Sequence, residues 1–121
     1  MKPQTIFNRA VRHLNKQGSR CLNDNGACAY RGNEGAMCAV GALIPDSLYE
    51  ETMDESGGKT VTTVMKEYPA VVRYLGADNI DLLRHLQSIH DSVSVERWRM
   101  KLLALAAEMG LKTTVMKEWT L

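Results

Sequence analysis

Between residues 5 and 17 the apolar side chains Ile6, Phe7, Ala10, Val11 and Leu14 recur every three or four positions, with Arg9, Arg12, His13 and Lys16 between them. That spacing predicts an amphipathic helix. Gly18 suits the left-handed position past its end, and Lys16 falls where a cation meets the negative end of the helix dipole. Residues 19–26 are turn-forming types and predict a loop. Two short runs, 27–31 and 36–40, then flank Gly32-Asn33-Glu34-Gly35 and predict a β-hairpin over about 28–40. With Asn33 and Glu34 central and Gly35 in the left-handed position, Tyr30 faces Cys38 and Cys28 faces Val40. Alternation puts those four side chains on the apolar face, with Ala29, Arg31, Met37 and Ala39 opposite.

The second half reads as helical almost throughout. A short helix over 47–53 starts near Pro45, and 54–59 reads as a mobile loop. Val61 begins a helix capped by Thr60; the Tyr68-Pro69 pair interrupts it, and Pro69 opens another that stops at Gly76. Asp78 is the expected cap of a helix carrying Ile80, Leu82, Leu83, Leu86 and Ile89. Ser94 is the expected cap of the last strong helix, with Val95, Trp98, Leu102, Leu105 and Met109 in register and Gly110 as its stop. The tail 111–121 adds a short strand or helix. The expected fold class is α+β, mainly helical: an N-terminal helix, a small hairpin, then four to five helices packed around Leu83, Leu86, Trp98 and Leu102. Thr62-Thr63-Val64-Met65-Lys66-Glu67 recurs unchanged as Thr113-Thr114-Val115-Met116-Lys117-Glu118. The flanks differ, so this is one amphipathic turn used twice rather than a stacked-repeat fold.

At 121 residues the chain is the size of one domain, and neither side of 54–59 has enough core to stand alone. It lacks the apolar stretch of a membrane helix or signal peptide, which places it in the cytoplasm as a soluble protein. Three cysteines, an odd number, then read as reduced thiols. A net charge of +1 gives no global case for nucleic-acid binding. The charge is nonetheless two-ended: residues 1–23 hold five Lys or Arg and no acid, whereas 46–58 hold Asp46, Glu50, Glu51, Asp54 and Glu55 and no base. Such ends are solvated faces or docking surfaces for a charged partner or a second copy, and a homo-oligomer is expected.

Chemistry is sparse. Cys38 is a candidate thiol nucleophile, with His85 or His90 as base and Asp46 or Asp91 as orienter. Free cysteine more often packs as a small hydrophobe. Cys21, Cys28 and Cys38 lack the paired spacing of structural zinc sites, so no metal and no cofactor is expected; only a cluster of Cys28, Cys38 and a histidine made by the fold would change that. Arg31, beside Gly32 and Gly35, is a candidate for holding a phosphate or carboxylate. The polar side of the first helix is a weaker candidate for nucleic acid.

The stretch Cys28-Ala29-Tyr30-Arg31-Gly32-Asn33-Glu34-Gly35-Ala36-Met37-Cys38-Ala39-Val40-Gly41-Ala42-Leu43-Ile44-Pro45-Asp46, followed by Tyr49, resembles a group of short proteins of tailed phages and prophages. They share Cys-x-Tyr-Arg, a Gly-x-x-Gly turn, Cys-Ala-x-Gly and a Pro-Asp before a Tyr. The resemblance implies an accessory or inhibitor protein without catalysis, binding a host or defence protein or a small signalling nucleotide. It also makes Tyr30, Arg31, Cys38 and Asp46 the candidate binding residues.

Overall fold

The first helix begins at a proline, whose missing N–H and fixed φ suit that position, and ends where Gly18 turns left-handed (φ 66°) and returns its N–H to Leu14. A computed structural model describes residues 1–121 apart from the Ser56 side chain. Its helices are α1 (Pro3–Gln17), α2 (Val61–Glu67), α3 (Pro69–Leu75), α4 (Ile80–Ser92) and α5 (Trp98–Met109). Short 3₁₀ turns lie at Asn33–Gly35, Gly41–Leu43, Glu51–Gly57, Ala77–Asn79, Val95–Arg97 and Thr114–Glu118. Helix α4 is central and touches α1, α2 and α5. Phe7, Leu14, Leu83, Leu86, Trp98 and Leu102 are fully enclosed between these helices. No helix among the described residues is long and apolar enough to cross a membrane.

The mainly helical expectation holds, but the α+β class does not: there is no β-hairpin over 28–40. Among the described residues the only pairings there are two isolated bridges, Leu22 to Cys28 and Arg31 to Met37. The reason is competition for backbone donors. Asp54 accepts the Tyr30 and Arg31 N–H groups (2.7 and 3.1 Å), and the Ala29 N–H goes to the Cys21 carbonyl. On the other arm Gln87 of α4 takes the Val40 N–H at 3.2 Å, and Val40 itself is helical (φ −75°, ψ −38°). A ladder draws its donors from alternate residues: Gly32 and Cys38 give theirs to the Ala36 and Tyr30 carbonyls (2.9 and 3.3 Å), but Tyr30 and Val40, whose N–H groups would extend it, bond outside it, and the pairing stops at the turn.

Other caps also shifted. Thr60 accepts the Thr63 N–H at 3.2 Å as expected, whereas Asp78 and Ser94 each lie where a 3₁₀ turn leads into the helix without a side-chain cap. The repeated hexapeptide buries Val64 and Met65 in α2, and Val115 and Met116 in the final turn. The first copy lies against α4 and the second against α1. That last segment is strapped down: Gln4 exchanges hydrogen bonds with the Lys112 backbone (2.8 and 3.0 Å), and Arg12 pairs with Glu118 at 2.9 Å.

Candidate functional site

The motif residues are largely turned inward. Tyr30 is 3% exposed and its hydroxyl donates to the Lys59 carbonyl at 2.6 Å. The Arg31 guanidinium donates to Asp46 and to the Ile44 carbonyl, both at 2.6 Å, and lies over the Tyr49 ring 4.8 Å from its centre. Tyr49 in turn donates its hydroxyl to Asp54 at 2.6 Å. Only Asp46, 93% exposed at its side chain, offers itself fully to solvent. Cys38 is enclosed, its sulfur accepts the Gly41 N–H at 3.1 Å, and burial pushes its thiol well above the ordinary range. A thiol held protonated is a poor nucleophile. His85 stands exposed on α4 and donates to the Asp81 carbonyl at 2.7 Å. No hydrogen bond among the described residues joins Cys38 to His85 or His90.

His90 meets a different cysteine. Cys28 Sγ, a His90 ring nitrogen and an Asp91 carboxylate oxygen lie within 4.8 Å of one another. The tautomer decides what this trio can do. The Cys21 backbone N–H donates to His90 Nε2 at 2.9 Å, so that nitrogen carries the lone pair; the proton is on Nδ1 and is given to Asp91 at 2.7 Å. A metal at Nδ1 would drive the proton to Nε2, directly against the Cys21 N–H. The donor set therefore does not suit a cation, and neither imidazole nitrogen is free to deprotonate a thiol. Burial and the neighbouring Asp91 carboxylate raise the Cys28 pKa. His90 instead ties the end of α4 to the Cys21 backbone. Arg20 donates to the His90 and Val93 carbonyls (3.2 and 2.9 Å), and Trp98 donates to Val93 (2.9 Å) while stacking on His90 at 5.9 Å. Those are carbonyls a helix terminus leaves unpaired. The cleft beside Cys28, Lys59 and Asp91 is about 180 Å³, small for a ligand site.

A larger groove, about 530 Å³, runs between the C-terminal end of α1 and the 33–37 turn. His13, Lys16 and Arg20 line it with Leu22 and Met37. Gln17 clamps the turn by accepting the Met37 N–H (2.9 Å) and donating to its carbonyl (2.8 Å), and His13 Nε2 donates to the same carbonyl at 2.7 Å. At the rim Glu34 is left-handed (φ 58°) and so is Gly35 (φ 76°). A non-glycine residue held there stores about 1 kcal/mol of strain, a feature that concentrates at binding sites. Sequence reasoning named the basic residues of α1 and the Gly-x-x-Gly turn separately; only the fold makes them two walls of one groove.

Burial lowers the His13 pKa below its ordinary 6.5. The unfolded chain thus binds this proton more readily, so the His13 contribution is complete above about pH 6.5 and is lost as pH falls below it. Thermal melts between about pH 7.5 and 5.5 should show a smaller loss for His13→Gln, which keeps a donor for Met37. Parallel losses in the two proteins would assign the pH dependence elsewhere.

No protein-family model, curated protein or solved structure matches the chain.

Proposed function

We propose that the protein acts by stoichiometric binding, as a phage-type accessory protein inside a bacterial cell, and that the α1 groove holds a small phosphate-bearing ligand of the nucleotide class. The observation that carries this is the groove itself. Its size lies in the range of small-molecule sites, the exposed Lys16 supplies positive charge beside an Arg20 that also holds the α4 carbonyls, Glu34 is the one acid in its lining, and Leu22 and Met37 supply an apolar surface for a base. The clamp by Gln17 and His13 fixes one wall before anything binds, which reduces the ordering cost of association. The resemblance to short phage proteins implies binding of a host or defence protein or of a small signalling nucleotide, and the second of these fits the groove. In contrast, Cys38 is enclosed with a raised pKa and makes no bond to a base, which gives little support to a thiol hydrolase.

Thermal shift against a panel of mono- and dinucleotides, with inorganic phosphate as reference, tests the reading. A nucleotide at one hundred times its Kd should stabilise the fold by about 2.7 kcal/mol, a rise in Tm of several degrees. Lys16 is exposed and has no ion-pair partner among the described residues, so Lys16→Glu should lower the unliganded Tm only slightly, through the helix-end charge it reverses, and remove the ligand-induced shift. A full panel without a shift, or undiminished binding by Lys16→Glu, would overturn the assignment.

A further inference from the structure

Helix α5 is apolar on both sides. Trp98, Leu102, Leu105 and Ala106 face the core, while Met100 (55% exposed), Ala104 and Ala107 form a stripe on the opposite side. With Arg99 on one flank and Lys101 and Glu108 on the other, this outer stripe is a second apolar face with charged rims, the pattern of a helix packed on two sides. Within the chain, its main contacts with other helical elements are with α4 and the 3₁₀ turn that leads into it.

The charges on α5 are reversed as well. Arg97, Arg99 and Lys101 gather at its start and Glu108 stands near its end, and neither an acid in the first turn nor a base in the last offsets them. The macrodipole favours the opposite arrangement, so the pattern costs an isolated helix some stability. Neither Lys101 nor Glu108 has an ion-pair partner among the described residues. Both flank the outer stripe on the same side, seven residues apart.

We infer that this face is covered by a second copy of the chain, with the two α5 helices packed antiparallel about a two-fold axis near Ala104 and Ala107. Antiparallel packing sets each basic start beside the negative end of its neighbour. It also places Lys101 against Glu108 of the partner subunit, twice over by symmetry. The alanines let the helices approach to about 8 Å, and Met100 fills the space beside them. Three turns against three bury less than about 1,200 Å², so the dimer is of the small, reversible class. This inference is independent of the α1 groove, which lies on other elements.

Sedimentation velocity over a concentration series is the test. The wild-type chain should pass from monomer to dimer as concentration rises, and Ala104→Arg should remain monomeric with an unchanged Tm, because that side chain touches no core. Lys101→Glu should weaken the dimer about tenfold, two pairs at roughly 0.7 kcal/mol each, and adding Glu108→Lys should restore it. A wild-type chain that stays monomeric to about 1 mM would remove the dimer. Association unaffected by Ala104→Arg would move it to another surface. Association unaffected by Lys101→Glu would remove the antiparallel arrangement.

Discussion

Replacing Gly41 by alanine should lower stability by about 3 kcal/mol, near the upper end of what overpacking a core costs. Gly41 is buried in the turn after Cys38, and a methyl group there would fall on the Tyr30 carbonyl carbon and oxygen. The obstruction is backbone, and that backbone is held on its other side by Asp54, so neither wall can yield cheaply. At this chain length the loss corresponds to a Tm decrease of roughly 10 °C. Gly35→Ala is the natural comparison. It sits in the same motif with nothing within 4 Å of the added methyl, and its only penalty is the left-handed φ of 76°, about 1 kcal/mol. Urea unfolding of the two variants separates the mechanisms: equal losses would mean that the close approach of Gly41 to Tyr30 is not a constraint on the fold.

The same comparison shows why the helices were legible and the 19–58 region was not. The core face of α1 is written in its own residues at a spacing of three and four, and Gly18 ends it through its own φ angle, so local rules suffice. The end of α2 and start of α3 are likewise local, because Tyr68-Pro69 disfavours a continuous helix in any context. The 28–40 segment carries equally plain local signals, two short runs about a glycine turn, and those signals lost. What decided it was a carboxylate some twenty residues downstream and a glutamine on α4, neither of which marks itself in the sequence as a partner for a backbone amide. Asp54 sits in a run of acids and glycines whose composition suggests a solvated loop, yet three donors converge on it.

The candidate site divides along the same line. The residue types mark Arg31 as a group that holds an anion and Asp91 as one of two acids able to orient a histidine, and the structure pairs Arg31 with Asp46 and His90 with Asp91. Their purpose was not recognisable, because it depends on what the remaining atoms touch: the Ile44 carbonyl for Arg31, the Cys21 amide for His90. Cys38 was the thiol singled out as a nucleophile, and Cys28 is the one that lies beside a histidine and a carboxylate. A chain of tertiary hydrogen bonds leaves no periodicity, so nothing in the spacing of residues announces it.

Asp54 should therefore be the most costly acid to remove. Asp54→Ala would strand the Tyr30 and Arg31 amides and the Tyr49 hydroxyl in a half-buried setting, at about 1–3 kcal/mol for each donor that finds no water. A total of roughly 3 kcal/mol is expected. Asp54→Asn tests the electrostatics without the cavity: it keeps one acceptor but turns an amide NH₂ toward groups that also donate, so it should recover only part of the loss. Asp46→Ala is the control from the same acidic stretch. Its partner Arg31 keeps the Ile44 carbonyl and the Tyr49 ring, and the Asp46 side chain is 93% exposed, so the change should cost under about 1 kcal/mol. Hydrogen exchange adds a local readout. In Asp54→Ala the Tyr30 and Arg31 amides should exchange far ahead of the α4 core, because the carboxylate is their only acceptor among the described residues. If Asp54→Ala proved no more destabilising than Asp46→Ala, the 19–58 region would have to be held by its apolar contacts alone, and the carboxylate could no longer explain why the hairpin fails to form.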